Sequence, residues 1–262
     1  MVRFYREKAG LSRAELGRRI CKSEALIEAI ELGRRPATEL VTLDLEAALK
    51  TGGGLAQLRE EMRNLLSYQA FPAWFQDWAL KEAEATTLRW FEPLVVPGLL
   101  QTEEYARAVF RTRFGISADE VDELVAARMK RQEILAGDKG PRLWAVLDEW
   151  VLRRPVGGRQ VMAGQVSRLI EAAQQPRVMI AILPAGVGAH EGAYAGGFAM
   201  AEFEDSPAVG YQETATGGQV IEDSRHIASL LLTWDTLRAD ALPRAASLAL
   251  LEEAAKSWTA AA

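Results

Sequence analysis

Two histidines, one cysteine and a set of paired arginines are the side chains best suited to chemistry in this 262-residue sequence. His190, followed by Glu191 in a glycine-rich stretch, and His226 have the ionisation range of an acid and a base. They stand 36 positions apart without metal-ligand spacing, and no Gly-x-Ser-x-Gly, phosphate loop or dinucleotide fingerprint accompanies them. The expectation is a protein that binds without catalysis, metal or cofactor. Arg128, Arg131, Arg153 and Arg154 carry guanidinium groups, which take carboxylates or phosphates through paired hydrogen bonds. With His190 they form the candidate set for a ligand or partner. Pairing with Glu120, Glu123, Asp148 or Glu149 inside the fold is the simpler account of them and the preferred one.

A second group of cations is local. Residues 1–36 hold nine Lys/Arg against five Asp/Glu, a net of +4, whereas the remainder holds 22 against 31, a net of −9. A small basic unit on an acidic body suits an electrostatic contact with phosphates, whose counterions such cations displace. Gly10 to Pro36 reads at helical period as two short helices: Ser12 opens the first, with Glu15 as capping-box partner, and Ser23 opens the second. Leu16, Ile20, Ile27 and Ile30 fall where two crossing helices need aliphatic contacts, and Gly17 sits where they cross. Cys21 stands in the turn, where a left-handed backbone favours glycine, at a cost on the order of 1 kcal/mol. This is the shape of a helix-turn-helix.

The other elements follow from punctuation. Residues 1–8 form an amphipathic segment with Val2, Phe4 and Tyr5 as its apolar side, and Thr38 caps a fourth helix with Leu40, Val41, Leu43, Leu45, Ala48 and Leu49 inward. After Thr51-Gly52-Gly53-Gly54 comes a helix from Leu55 to about Tyr68, then the aromatic group Phe71, Trp74, Phe75 and Trp78. Helices are expected from Thr102 to about Phe114, after Ser117, after Gly158, from Ser224 and from Pro243. The helix after Ser117 carries Arg128 and Gln132 on its apolar stripe. Leu143 to Leu147 reads as a buried strand, and residues 178–183, 198–203, 209–213 and 219–221 read as a small meander. Pro184 to Gly197 holds five glycines and reads as a mobile lid or docking loop. The expected organisation is a mainly α helix-turn-helix domain (1–66), an aromatic hinge (67–81) and an α+β domain with a small, mostly antiparallel sheet (82–262). The single cysteine excludes a disulfide framework, and without a signal-like or spanning apolar run the expected location is cytoplasmic, with no membrane partner.

Residues 1 to about 50 resemble the Xre/Cro-type helix-turn-helix family, down to the ending Ile30-Glu31-Leu32-Gly33-Arg34-Arg35-Pro36. The resemblance implies double-stranded operator DNA as partner. Ser12 and Arg13 then meet phosphate, Lys22 and Ser23 add contacts at the start of the recognition helix, Glu24, Ala25 and Glu28 face the major groove, and Arg34 and Arg35 reach the flanking backbone. Two glutamates on that face, with no Arg, Asn or Gln on the helix, imply modest affinity per motif and favour a homodimer.

A second resemblance covers the body. Phe91-Glu92-Pro93, Pro97 to Thr102 with Tyr105-Ala106, Arg128, Arg131-Gln132, Asp148-Glu149, Leu152-Arg153-Arg154, His190, Gly192 and Phe198 are similar to the domain that follows an Xre-type reader in the actinobacterial WhiJ-like regulators. It implies a transcriptional regulator often paired with a small partner protein, in an arrangement similar to a toxin–antitoxin system, and implies no ligand; the expected partner is a small acidic protein encoded nearby or, less favoured, a signal ligand. An antitoxin-like interaction protein with a weak reader is the alternative.

Overall fold

The computed structural model describes residues 1–35, 37–59, 70–136 and 140–260. The chain forms two compact units, Met1–Leu66 and Ser67–Ala262.

The first unit is all helical: α1 (Val2–Lys8), α2 (Arg13–Arg19), α3 (Glu24–Glu31) and α4 (Glu39–Leu49), followed by a helical turn over 54–59. Caps define the starts. Ser12 and Glu15 form the reciprocal capping box, and the Ser23 and Thr38 hydroxyls accept from the Leu26 and Val41 N–H groups. The Glu46 carboxylate accepts from the Gly53, Leu55 and Ala56 N–H groups and so caps the turn at 54–59. Leu16, Ile20, Ile27, Val41, Leu45, Leu49 and Leu55 make the core. Two expectations fail on burial. Phe4 points outward at 60% exposure, and Leu40 and Leu43 are 74% and 54% exposed. The apolar run of α4 is wider than the face the small core can cover. The expected helix from Leu55 to Tyr68 lies outside the described residues beyond position 59.

The second unit is a mixed, largely antiparallel sheet with helices on both faces. Its strands are β1 (Thr87–Glu92), β2 (Arg142–Asp148), β3 (Val178–Leu183), β4 (Phe198–Glu202), β5 (Val209–Thr214) and β6 (Gly217–Ile221), in the order β3-β2-β1-β4-β5-β6. The pairs β1–β2 and β2–β3 are parallel and the other three antiparallel. The expected four-run meander is therefore corrected: β3 joins β2 in parallel, and only β4 to β6 form the meander. The apolar Val-Met-Ile-Ala-Ile-Leu of β3, covered on both faces, is the signature of a parallel strand.

Helices α5 (Ala73–Glu84), α6 (Glu103–Phe110), α7 (Ala118–Gln132), α8 (Glu149–Arg153), α9 (Arg159–Ala173), α10 (Glu191–Ala195), α11 (Ser224–Asp240) and α12 (Arg244–Thr259) complete the unit. One sheet face presents Leu88, Trp90, Ala145, Leu147, Ile180, Ala199 and Tyr211 to a large core shared with α5, α6, α7, α9 and α12. The other presents Phe91, Val146, Leu183, Phe198 and Met200 to Leu230, Trp234 and Leu237 of α11. Phe71, Phe75 and Trp78, whose aromatic pattern suits either a hinge or simple core packing, are buried in the large core, and Trp74 remains 38% exposed. The helix from Thr102 stops at Phe110, four residues before its expected end, and Phe114 is fully exposed. The glycine-rich loop is ordered locally by a 3₁₀ turn at Ala185–Val187 and by α10.

Candidate functional site

In the first unit, Gly17 sets the helix crossing. A Cβ there would stand 2.7 Å from the Lys22 carbonyl oxygen and 3.4 Å from the Glu24 nitrogen, so α2 meets the start of α3 at backbone contact. Cys21 turns the chain with φ of 53°, the left-handed conformation. Behind α3 lies an ion network. Glu31, whose side chain is fully buried, accepts from Arg6 Nε at 2.5 Å, Arg6 Nη2 at 3.1 Å and Arg13 Nε at 2.8 Å. Burial alone would raise the Glu31 carboxyl, but the hydrogen bonds and charges of Arg6 and Arg13 outweigh it and hold the group below the usual range. Arg13 also reaches Glu28 at 3.2 Å.

This arrangement divides the residues singled out in sequence. Arg13 is committed to two carboxylates rather than free, and in return it partly neutralises Glu28. Ser12 and Ser23 act as caps. Lys22, Glu24, Ala25, Arg34 and Arg35 are exposed. Arg18 and Arg19, overlooked in sequence, are exposed beside the turn and, like Lys22, Arg34 and Arg35, make no salt bridge among the described residues. Their position in the last turn of α2 was the available signal.

In the second unit the five candidates separate into three places. Arg128 and Arg131, from α7, enter the large core. Arg131 is 2% exposed, lies 3.4 Å from the fully buried Glu82, and has its guanidinium 4.8 Å from the Phe75 ring centre and 5.9 Å from that of Trp90. Arg128 donates to Gln101 Oε1 at 2.6 Å and covers the Phe110 ring at 4.2 Å. Burial and then Arg131 push its guanidinium down to about 9. Gln132 donates to the carbonyls of Gly98 and Gln101, Gln101 donates to the Val96 carbonyl, and Gln165 joins the Thr102 N–H and the Leu100 carbonyl. Buried amides thus pin the whole segment 96–102 to α7 and α9. Gly98 is required because a Cβ would overlap the Arg131 guanidinium.

His190 belongs to the other sheet face, at the carboxyl ends of the parallel strands. Its Nε2 lies 3.0 Å from Asp148 Oδ2, its ring meets Phe91 edge-on, and its side chain is 7% exposed. Gly192, next on α10, lies against Phe91 so tightly that a Cβ would overlap the ring. Arg153 and Arg154 are exposed at α8. Arg153 pairs with Glu149, which also accepts from the Ala185 N–H, and flanks Trp150, itself 59% exposed. Glu149, Trp150 and Arg153, but not Arg154, border a groove with Arg159, Glu253 and Trp258. His226 is exposed on α11 beside Asp223.

Sequence inspection missed Glu82, Gln165, Tyr211 and Glu213. Glu82 had a signal: it continues the apolar stripe Phe75, Trp78, Ala79 of α5, where a carboxylate is out of place. Among the described residues no group of three His, Cys, Asp or Glu side chains is placed to hold a metal ion, and no helix is long and apolar enough to cross a membrane.

Residues 75–253 match the family model described as Domain of unknown function (DUF5753), which takes in every strand of the sheet and the clusters around Arg131 and His190. No curated protein and no solved structure matches the chain. The helical bundle that precedes the matched region is compatible with an Xre/Cro-type reader without being specific to one. With more than half of its length covered by that model, the chain belongs to the DUF5753 family.

Proposed function

We propose that the protein is a sequence-specific DNA-binding transcriptional regulator. In this reading the helical unit reads double-stranded operator DNA as a homodimer, and the α+β unit receives a small acidic partner protein or a signal ligand. It acts by binding, without catalysis. The observation that carries it is the joint between α2 and α3: Gly17 at backbone contact with Lys22, Cys21 in the left-handed turn and Ser23 capping α3. This is the joint a helix-turn-helix needs to present the start of its second helix to a major groove. Exposed cations flank that helix on both sides, Arg18, Arg19 and Lys22 before it and Arg34 and Arg35 after it. The phosphate-gripping role first given to Arg13 passes more naturally to these groups, because Arg13 is held by Glu28 and Glu31.

Titration of the full chain against DNA from upstream of its own gene, across a salt series, tests this. Specific binding with a steep negative salt slope is expected, and Lys22→Ala should lower that slope by about one while weakening all sequences alike. Glu28→Ala should change sequence preference. Absence of specific binding, with and without a small partner, would refute the regulator and leave the second reading, an antitoxin-like protein that sequesters its partner. What favours that reading is the acidic face of α3, where exposed Glu24 and half-exposed Glu28 oppose phosphate.

A further inference from the structure

Seven buried side-chain nitrogen and oxygen atoms lack a hydrogen-bond partner among the described residues, and six of them belong to one cluster. They are Trp78 Nε1, both carboxylate oxygens of Glu82, Arg128 Nε, and Nε and Nη1 of Arg131. Trp78 and Arg131 are at most 2% exposed and Glu82 is fully buried. The Trp78 indole N–H lies near the Glu82 carboxylate but outside hydrogen-bonding geometry, and the Arg131–Glu82 contact at 3.4 Å is an ion pair without a directed bond. A buried polar group without a partner is costly, more so if charged, so a concentration of them points to a polar occupant rather than to the fold alone.

The sheet beneath is shaped for one. Register places Trp90, Ala199 and Tyr211 in one row across β1, β4 and β5, and Leu88, Ala201 and Val209 in the next. Two residues further along each strand in the other direction, just past the paired Phe91, Phe198 and Gln212, stand Glu92, Gly197 and Glu213. The central strand thus offers only Gly197, Ala199 and Ala201 between the indole of Trp90 and the phenol of Tyr211; Trp78, stacked on Tyr211 at 5.1 Å and edge-on to Trp90 at 6.1 Å, packs over the buried Ala199 row, so the Gly197 end is the place for a ligand. At that end two carboxylates face each other across Gly197, on strands whose backbones are about 10 Å apart. Glu92 accepts from Trp90 Nε1 at 3.1 Å, and Glu213 accepts from the Tyr211 hydroxyl at 3.1 Å. Three carboxyl groups, Glu82, Glu92 and Glu213, stand beside two guanidiniums, Arg128 and Arg131. Four N–H donors of the cluster lack acceptors among the described residues, while the Glu92 and Glu213 carboxyl groups lie close enough for one to raise the other.

We propose that this cluster is a binding site for a small zwitterion of the α-amino acid class, whose carboxylate is taken by Arg128 and Arg131 and whose ammonium sits between Glu92 and Glu213 above Gly197. Such a ligand, neutral overall, brings an acceptor to the unpartnered guanidinium N–H groups and a cation to the paired carboxyl groups. Burial, reinforced by Glu213, pushes the Glu92 carboxyl up to about 8, as expected of a carboxylate that awaits a cation. The ligand's role as a signal rests on the α+β unit being the receiver in the proposed regulator, but its binding does not.

Calorimetric titration and thermal unfolding of the full chain with each free L-α-amino acid, and with the matched amine and carboxylic acid of any that bind, test the site. At least one amino acid should bind saturably below about 10 mM and raise the unfolding temperature. The amine and the acid alone should each bind about tenfold or more weakly, as loss of a charged hydrogen-bond partner implies. Glu213→Gln, at an exposed position, should weaken binding by a similar factor without lowering the unfolding temperature of the free protein, and Gly197→Ala, whose added carbon would stand 3.2 Å from Glu92 Oε2, should weaken it too. No binding by any amino acid overturns the proposal, as does equal binding by the amine or the acid, or undiminished binding in both variants. DNA titration of the same preparation separates the two claims: a protein that reads DNA but binds no amino acid loses only this site, and one that binds an amino acid but no DNA loses only the regulator.

Discussion

Glu31→Gln is the most incisive perturbation of the reader unit. Glu31 accepts from both Arg6, whose side chain is 10% exposed, and Arg13, at 29%. Glutamine preserves the shape and one acceptor but removes the charge that both guanidiniums face, and turns one of their hydrogen bonds into a donor–donor contact. Removing one partner of a buried pair costs about 3–5 kcal/mol, and charge-assisted bonds about 1.5–3. With the half-exposed Arg13 discounted for solvent screening and one neutral acceptor retained, the expected loss is about 2–3 kcal/mol. For a unit of this size that corresponds to a fall on the order of 10–20 °C in its unfolding temperature. Hydrogen exchange of the full chain localises the effect: amides of α1, α2 and α3 should lose protection while those of β1 to β3 keep theirs. The pH dependence has a definite sign. The folded-state carboxyl lies below its ordinary value, so its contribution is complete above the unfolded value of about 4.3 and disappears as pH falls through the folded one. The gap between wild type and Glu31→Gln should therefore be constant at neutral pH and close in acid. Unchanged exchange in α1 to α3, or a gap that widens in acid, would show that the network does not hold the bundle.

Other outcomes follow from single contacts. Cys21→Gly should stabilise the first unit by about 1 kcal/mol in a denaturant titration, because glycine relieves the positive φ at that turn; no gain would mean that Cys21 relaxes elsewhere. Gly192→Ala should destabilise the second unit by about 1–3 kcal/mol, since the added carbon meets the buried Phe91 ring, and a neutral result by thermal unfolding would show that α10 is free to shift. For Glu92 the folded state holds the proton more tightly than the unfolded chain, so wild-type stability falls as pH rises from about 4.3 towards about 8. Glu92→Gln escapes that loss. It should match wild type near pH 4 and exceed it by about 1–3 kcal/mol above pH 8, a figure reduced for partial exposure, and equal stability across that range would contradict the burial of the carboxyl.

What was legible in the sequence depended on distance along the chain. The capping boxes Ser12–Glu15 and Ser117–Glu120, the Ser23 and Thr38 caps and the turn at Cys21 close over a few residues, and each was visible in residue type and spacing. Strand β1 was not, because Arg89 and Glu92 interrupt its apolar pattern. Only the fold explains them: Arg89 pairs with Glu202 of β4, and Glu92 with the Trp90 indole. The same limit hid the Arg131–Glu82 pair, whose members are 49 positions apart, and the small-residue alternation Gly197, Ala199, Ala201, which means little until neighbouring strands supply its walls.

The alternation of a strand also explains how two unlike clusters come from one short motif. Phe91 and Glu92 end β1 on opposite faces of the sheet: Phe91 meets His190 and Gly192, while Glu92 turns towards Gly197 and the charge cluster of Arg128. Asp148 ends β2 on the His190 side, and Leu147 beside it faces the large core. The parallel strands β1 and β2 therefore carry both clusters on their carboxyl ends, next to the β1–β4 boundary where the sheet changes from parallel to antiparallel. Movement of the segment around Gly197 would alter both at once, because β4 begins at Phe198, which packs on Phe91, while Gly197 borders Glu92. If a ligand engages Glu92, the surface around His190 and α10 is the first place its binding should be felt, and protection of α10 amides on ligand addition is the coupling to look for.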